Sequence, residues 1–300
     1  MKKIYTCTLL LASFLFLACE QNIYISRDHD INAEVGELQT TLELKVLYCN
    51  LTDATALSMT EVEAYINNQL TTEGVDIVTF LADDSAFEAW LSGYAAKNNL
   101  NYIVNARPAL SETVSACLSK EAIKTSFGDS FNYELLTAPV LHFEVEGIHF
   151  VVTELQEGGL AMADGSHDPA TLQNDLRKAQ IESVISSTVD ASAYYSAEKW
   201  VWSIDMNSPT SSDIKQYGKE ELLPENCVAN DVMEYNGLID CISACNNYYQ
   251  PSSIDSSRHN FLYSTVKGWQ MMQPIFVDTA SASTLGVTHY PIMVTLKSEE

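Results

Sequence analysis

The segment LELKVLYCN, Leu42 to Asn50, is β-rich and apolar on both faces, and a strand of that kind must be covered from both sides. A second run, VDIVTFLA from Val75 to Ala82, has the same character, and an amphipathic helix stands between the two. Ser58 and Glu61 make a capping box for that helix, whose Val62, Tyr65, Ile66 and Leu70 fall on one face. Buried strands alternating with one-sided helices call for a layered arrangement. The expected fold is therefore α/β (α+β): a four-layer α-β-β-α sandwich with two mixed sheets packed face to face and helices on the outer faces.

The pattern continues along the chain. Asp83, Asp84 or Ser85 can cap a second helix carrying Phe87, Trp90, Leu91 and Tyr94. Short strands recur in NYIVN and TVSACLSK, and the pair APVLHFEVE and IHFVVTEL around Gly147 is a hairpin signal. ATLQNDLRKAQIESVISST has helical period through Leu172, Leu176, Ile181 and Ile185 and leads to the strand WVWSIDMN. YNGLIDCISACNNYY and RHNFLYST follow, and THYPIMVTL closes the series. Pro291 in that last run has no N–H for a ladder, so it suits the first residue of a strand or an edge. Asn50, Ala82, Glu154, Asp205, Asn260 and His289 all fall at strand mouths, where neighbouring strands bring side chains together.

The first eighteen residues stand apart. Lys2 and Lys3 give a basic start, Leu9 to Leu17 an apolar run too short for a comfortable membrane span, and Ala18 a small residue before Cys19. This pattern is that of a bacterial lipoprotein signal (1–18), with lipidation at Cys19 and a polar tether (19–41) before the folded domain (42–300). Ordinary signal cleavage and a short anchor are the other readings, because Phe16 and Leu17 depart from the usual lipoprotein pattern. The expected location is the bacterial cell envelope, with contact to a membrane through the lipid anchor only. Removing residues 1–18 takes away two lysines and no acid, so the formal charge moves from −24 to −26. A field of that sign repels phosphate backbones, which argues against nucleic acid as a partner. Cys49 and Cys117 lie in strand-like runs and suit buried thiols, whereas Cys227 has the option of bridging to Cys241 or Cys245.

In order and spacing, residues Leu42 to Leu296 resemble the endonuclease/exonuclease/phosphatase superfamily of metal-dependent phosphohydrolases. IDMNSPTSSDIKQYG is similar to the family's Gly-Asp-Phe-Asn-Ser loop, LKVLYCN to its opening strand, SACLSK to its Ala-Ile-Leu-Ser-Lys strand and VTHYPIMV to its Ser-Asp-His-Tyr-Pro-Val ending. The resemblance implies that Asp205 and Asn207 are the catalytic Asp-x-Asn pair and His289 the base. It implies Asn50 as a metal-site residue and Asp240 as a further acid, with magnesium as the cofactor if one is retained. Other positions depart from the family: its metal-binding Glu falls on Ala82, its phosphate-contacting His on Glu154, and two of its Asp residues on Asn260 and Thr288. Asp83, one residue past Ala82, is the stand-in metal ligand, at the cost of the face change that a one-residue slip brings.

Two function classes follow. One is a membrane-anchored, non-catalytic binding or scaffold protein with a degraded site and a ligand or protein partner. The other is an active magnesium-dependent phosphodiesterase or phosphatase with a rearranged acidic site. For Asp205 and Asn207 a polar loop cap is the structural alternative to catalysis, and for Asn50 a strand-end bond to backbone groups is the alternative to ligation.

Overall fold

A computed structural model describes residues 42–52, 57–83, 85–107, 111–125, 127–160, 170–189, 199–216, 222–245, 251–252, 258–265 and 271–298. The signal and tether segments, Cys19 and Asp84 lie outside the described residues. In chain order the strands are β1 (Leu42–Asn50), β2 (Ile77–Ala82), β3 (Asn101–Ala106), β4 (Val114–Ser119), β5 (Leu141–Val145), β6 (Ile148–Glu154), β7 (Lys199–Asp205), β8 (Leu238–Asp240), β9 (Asn260–Thr265), β10 (Met271–Val277) and β11 (Ile292–Ser298). The α-helices are α1 (Met59–Asn68), α2 (Ser85–Asn98), α3 (Ala170–Thr188), α4 (Ser211–Gln216), α5 (Val228–Tyr235), α6 (Cys241–Cys245) and α7 (Thr279–Leu285).

Local chemistry sets several of these boundaries. Ser58 Oγ accepts the N–H of Glu61 at 3.4 Å and starts α1, as the capping box requires. In the β5–β6 hairpin, Glu146 and Gly147 both take positive φ, 52° and 73°, as a two-residue turn that matches the twist of its strands demands.

The strands form two mixed sheets, a six-stranded one in the order β10-β11-β1-β2-β4-β3 and a five-stranded one in the order β5-β6-β7-β9-β8. Within the first only β1 and β2 are parallel, and within the second only β6 and β7. Alternation along each strand then separates two kinds of side chain. Leu44, Val46 and Tyr48 of β1 meet Phe143, Phe150, Val152, Val201 and Leu262 of the second sheet in one buried cluster. The opposite face of the first sheet, with Leu47, Val78 and Phe80, packs on Val62 and Ile66 of α1, Phe87 and Leu91 of α2 and Leu285 of α7. Trp200, Trp202 and Phe261 on the far face of the second sheet pack on Ile181 and Val184 of α3 and Met233 of α5. Three apolar layers between four structural layers give the expected sandwich.

Some elements were not legible in advance. β10 contains Pro274 within MMQPIFV, which argues against a central strand; it lies at the sheet edge, and its register shifts between Gln273 and Phe276. Helix α7 is built from small polar residues in TASASTL and is fixed at its start by Asp278, which accepts the N–H of Ser281 at 3.0 Å. Cys227 is a free buried thiol, so neither of its two candidate bridges forms. Burial raises the pKa of that thiol to about 11.

Phe143 and Phe150 are cross-strand partners whose rings stack with centroids 5.0 Å apart in the inter-sheet core. Phe150→Ala should destabilise the fold by about 3–5 kcal/mol in urea denaturation, through lost transfer energy and a cavity. Tyr235→Ala, at a side chain 88% exposed, should change stability by less than about 0.5 kcal/mol.

Candidate functional site

The inward parity that builds the apolar seam between the sheets carries polar residues at one end of it. Along β1 the series Leu44, Val46, Tyr48 continues to Asn50; along β6, Phe150 and Val152 continue to Glu154; along β7, Val201 and Ser203 continue to Asp205. In β9, Asn260 precedes inward Leu262 by two residues. Pairing aligns these ends, since Glu154 is opposite Asp205 and Asp205 is opposite Asn260. One step below them, Thr79 and Ser203 hydroxyls join the two sheets at 2.6 Å.

The parity of β2 changes one residue assignment. Ala82 belongs with Val78 and Phe80 to the helix-facing cluster, so a carboxylate there would point into the outer core. Asp83 has the parity of Ile77, Thr79 and Leu81 and reaches the site: its Oδ1 accepts the Thr113 hydroxyl at 3.0 Å, and the same hydroxyl lies 3.4 Å from Glu154 Oε2. Asp83 rather than Ala82 therefore presents its side chain to the candidate site.

At the centre, Asn50 Nδ2 donates to Asp205 Oδ2 at 2.9 Å and to Asn260 Oδ1 at 2.7 Å, bonds that cross from one sheet to the other. Asn50 Oδ1 accepts both the N–H of Thr52 at 3.0 Å and its hydroxyl at 2.6 Å, so its two lone pairs are engaged. Tyr48 donates its hydroxyl to Asn260 Oδ1 at 3.2 Å. Burial, with Asp205 and Glu154 nearby, holds the Tyr48 pKa well above the usual phenol range and keeps that proton in place. Asn260 Nδ2 is buried and has no hydrogen-bond partner among the described residues. Asp205 Oδ1 accepts the N–H of Asn207, which turns through φ 47° and places its amide Nδ2 3.0 Å from the Leu155 carbonyl and 3.5 Å from Glu154 Oε1.

His289 is buried at the entry to β11, with Nε2 4.0 Å from Asp205 Oδ2. Thr288 offers no acid to orient this imidazole, and the nearby carboxylate comes instead from β7. The site therefore brings together Asn50, Asp83, Glu154, Asp205, Asn207, Asn260 and His289. Asp240 has different partners. It is engaged by Arg258, accepts the N–H of Ile242 at 2.9 Å, and shares Arg258 with Asp213, which lies 2.9 Å from Nη1. That buried charge triad braces the approach to β9.

A hard divalent cation needs several oxygens converging on one point. Asn50 presents a donor to the site rather than an oxygen, and Asp205 accepts one N–H on each oxygen, which leaves a lone pair on each. Among the described residues no group of three acidic, histidine or cysteine side chains is arranged to hold an ion. As placed, Asn50 would have to turn its amide to give an ion an oxygen, and the carboxylates that would hold magnesium are Asp83, Glu154 and Asp205.

Three contributors escaped sequence reasoning. Tyr48 was identifiable from strand parity alone, two residues before Asn50. Thr113 carries no motif and becomes relevant only through the pairing of Ala82 with Val114. Arg177, fully buried on α3, binds the Gln156 carbonyl at 2.8 Å, the Gly158 carbonyl and Asn174 Oδ1, and so fixes the chain just after Glu154. Burial lowers its pKa to about 10.

Compared by sequence, the chain matches no family model and no curated protein. Compared by structure, it resembles an AP endonuclease from Archaeoglobus fulgidus at 14% identity and a TM-score of 0.57, covering 84% of this chain and 98% of that one. A 3′-5′ exonuclease from Neisseria meningitidis aligns with the same TM-score and coverage at 13% identity. An endonuclease/exonuclease/phosphatase family protein from Bacteroides thetaiotaomicron aligns at 14% identity and a TM-score of 0.55, over 86% of this chain and 99% of the other. The chain has an endonuclease/exonuclease/phosphatase-like fold, and at these identities the likeness concerns the fold alone.

Asn50→Ala should cost about 2–3 kcal/mol in chemical denaturation, because it leaves the buried Asp205 carboxylate, Asn260 and Thr52 each short of a partner. A loss below about 0.5 kcal/mol would mean that water replaces Asn50 and that the cross-sheet bridge is not structural.

Proposed function

We propose that this chain is a bacterial cell-envelope lipoprotein, anchored through Cys19, that uses an endonuclease/exonuclease/phosphatase-like fold as a non-catalytic binding or scaffold domain. One observation carries the reading: Asn50 donates across the sheets to both Asp205 and Asn260, so groups that would serve an ion and a phosphate are engaged within the protein. Glu154 adds a negative charge where the related chemistry uses a histidine, and Asp83 adds another at the rim. This lining opposes a phosphate and suits a neutral or cationic ligand, or a protein partner.

The alternative is a magnesium-dependent phosphodiesterase or phosphatase with a rearranged site. The positions of Asp83 and Glu154 on one Thr113 hydroxyl, and of Asp205 beside His289, favour it. Calorimetric titration with Mg²⁺ separates the two. A binding domain shows no stoichiometric site and no thermal stabilisation at millimolar Mg²⁺, whereas an ion at a hundredfold its dissociation constant would add about 2.7 kcal/mol.

Turnover of generic phosphodiester and phosphomonoester substrates with Mg²⁺ should stay near background. Each preorganised electrostatic contact is typically worth on the order of 10²–10³ in rate. Three departures remain after Ala82 is set aside, and because such losses do not add, the expected deficit is at least about 10⁴ against an intact site. Glu154→His, Asn260→Asp and Thr288→Asp combined, with Ala82 unchanged, should raise Mg²⁺-dependent turnover above wild type. Robust wild-type turnover that is lost in His289→Ala would establish the enzyme instead.

Anchoring has its own readout. Wild-type protein expressed in a bacterial host should incorporate labelled palmitate and sediment with membranes, and Cys19→Ala should do neither. Unlabelled wild-type protein would remove the lipoprotein part of the proposal and leave the binding domain untouched.

A further inference from the structure

A group of titratable side chains lies on the helix-facing side of the five-stranded sheet, away from the seam that holds the candidate site. His142 of β5 and His149 of β6 sit diagonally across the hairpin, whose pairs are His142 with Val151 and Glu144 with His149. Their facing nitrogens, His142 Nε2 and His149 Nδ1, are 3.1 Å apart, and Asp129, from the segment before β5, lies 2.6 Å from His142 Nδ1. Phe127 of the same segment stacks on His142 with ring centroids 4.2 Å apart, and Trp200 of β7 stacks on His149 at 4.5 Å. The His142 side chain is 3% exposed and that of Asp129 15%. Farther along, the segment is tied to α3, where Ser187 donates its hydroxyl to the Ser130 carbonyl at 3.1 Å and Gln180 Nε2 donates to the Leu135 carbonyl at 2.8 Å.

We propose that Asp129, His142 and His149 form an acid-sensitive latch, which holds residues 127–129 on the sheet while the two imidazoles share at most one extra proton and releases them when both are charged. Hydrogen-bond counting gives the rule. With both rings neutral, His149 Nδ1 donates to His142 Nε2 and His142 Nδ1 donates to Asp129, so every facing atom is matched. One extra proton is tolerated, because whichever ring carries it, the other still offers a lone pair across the gap. A second is not. With both rings charged, two N–H groups face each other across 3.1 Å with no acceptor between them. In acid the latched arrangement therefore holds fewer protons than the released one.

The surroundings act in the same direction. Burial lowers the His142 pKa from the ordinary imidazole value of 6.5 and outweighs the upward pull of Asp129, while His149 lowers it further and Glu144 raises it slightly. Glu144 is opposite His149 and is itself held by Lys124 at 2.6 Å. From β7 the pair meets the uncharged Trp200 ring, and the α3 groups bonded to the segment, Ser187 and Gln180, are uncharged. A histidine that titrates lower when latched than when released stabilises the latched state fully above about pH 6.5, and that stability is lost progressively as pH falls below it. One proton more in the released state raises the released-to-latched ratio about tenfold for each pH unit. Release uncovers His142 and the Phe127 ring stacked on it, so acidity controls access to an aromatic patch.

The full chain with 4-fluorophenylalanine in place of Phe127 alone, followed by fluorine NMR, reads the latch locally because that ring stacks on His142. At neutral pH the expected spectrum is that of a stacked ring. Below about pH 6.5 a released signal should grow, its ratio to the stacked signal rising about tenfold per pH unit. His142→Phe removes the titrating group, and His149→Gln supplies an amide that can turn its oxygen to a charged His142. Either change should leave the ratio flat with pH. Thermal melts at neutral pH establish that each variant is folded, and if His142→Phe is not, the partly exposed His149→Gln carries the test. A stacked signal that persists unchanged to about pH 5 in wild type, or a released signal that grows as steeply in a folded variant, would overturn the proposal.

Discussion

Everything in this molecule depends on the seam where the inner faces of two sheets meet. Along most of its length the seam is apolar, with Leu44 and Val46 of one sheet against Phe143, Phe150 and Val201 of the other. Toward the ends of β1 and β7 it turns polar without changing parity. Tyr48, Thr79 and Ser203 come first, and Asn50, Asp205 and Asn260 follow. Burying such groups is costly unless each finds a partner, and here most partners lie on the opposite sheet. The same side chains therefore hold the sheets together and line the candidate site.

Through that double role the same side chains answer to the fold as well as to whatever the site binds. Asn50 is held by Thr52 on one side and bridges to Asp205 and Asn260 on the other. A carboxylate at 260 would place two anions around one amide, whereas Asn260 takes the same position without charge and accepts from Asn50 and Tyr48. Arg258 performs a related function nearby, where two buried carboxylates, Asp213 and Asp240, share one buried guanidinium. Removing one member of such a triad is strongly destabilising even though the triad itself adds little net stability.

Much of the architecture was legible because period 2 and period 3.6 are direct consequences of burial on a strand or a helix face. LELKVLYCN, VDIVTFLA and the Gly147 hairpin all became the elements their patterns require. β10 was not legible, since Pro274 obscures a strand that survives only at an edge, and α7 was hidden in small polar residues. Within the site, motif order located Asn50, Asp205, Asn207 and His289, but not the role of each. Ala82, where the family's Glu falls in the resemblance, has helix-facing parity, whereas Asp83, the stand-in expected from the sequence, reaches Thr113. Asp240, a further acid implied by the resemblance, is bonded to Arg258 and to the N–H of Ile242, contacts that no motif announces.

The proposed binding role requires that Asn50 keep its bridge to Asp205 and Asn260 and that no catalytic ion displace it. The most direct test is a crystal soaked in Mn²⁺, with anomalous scattering to locate the metal. The account predicts no manganese among Asp83, Glu154, Asp205 and His289, with the Asn50 bridge to Asp205 and Asn260 intact. A fully occupied manganese site bound by two or more of those carboxylates, with Asn50 displaced from Asp205, would contradict it.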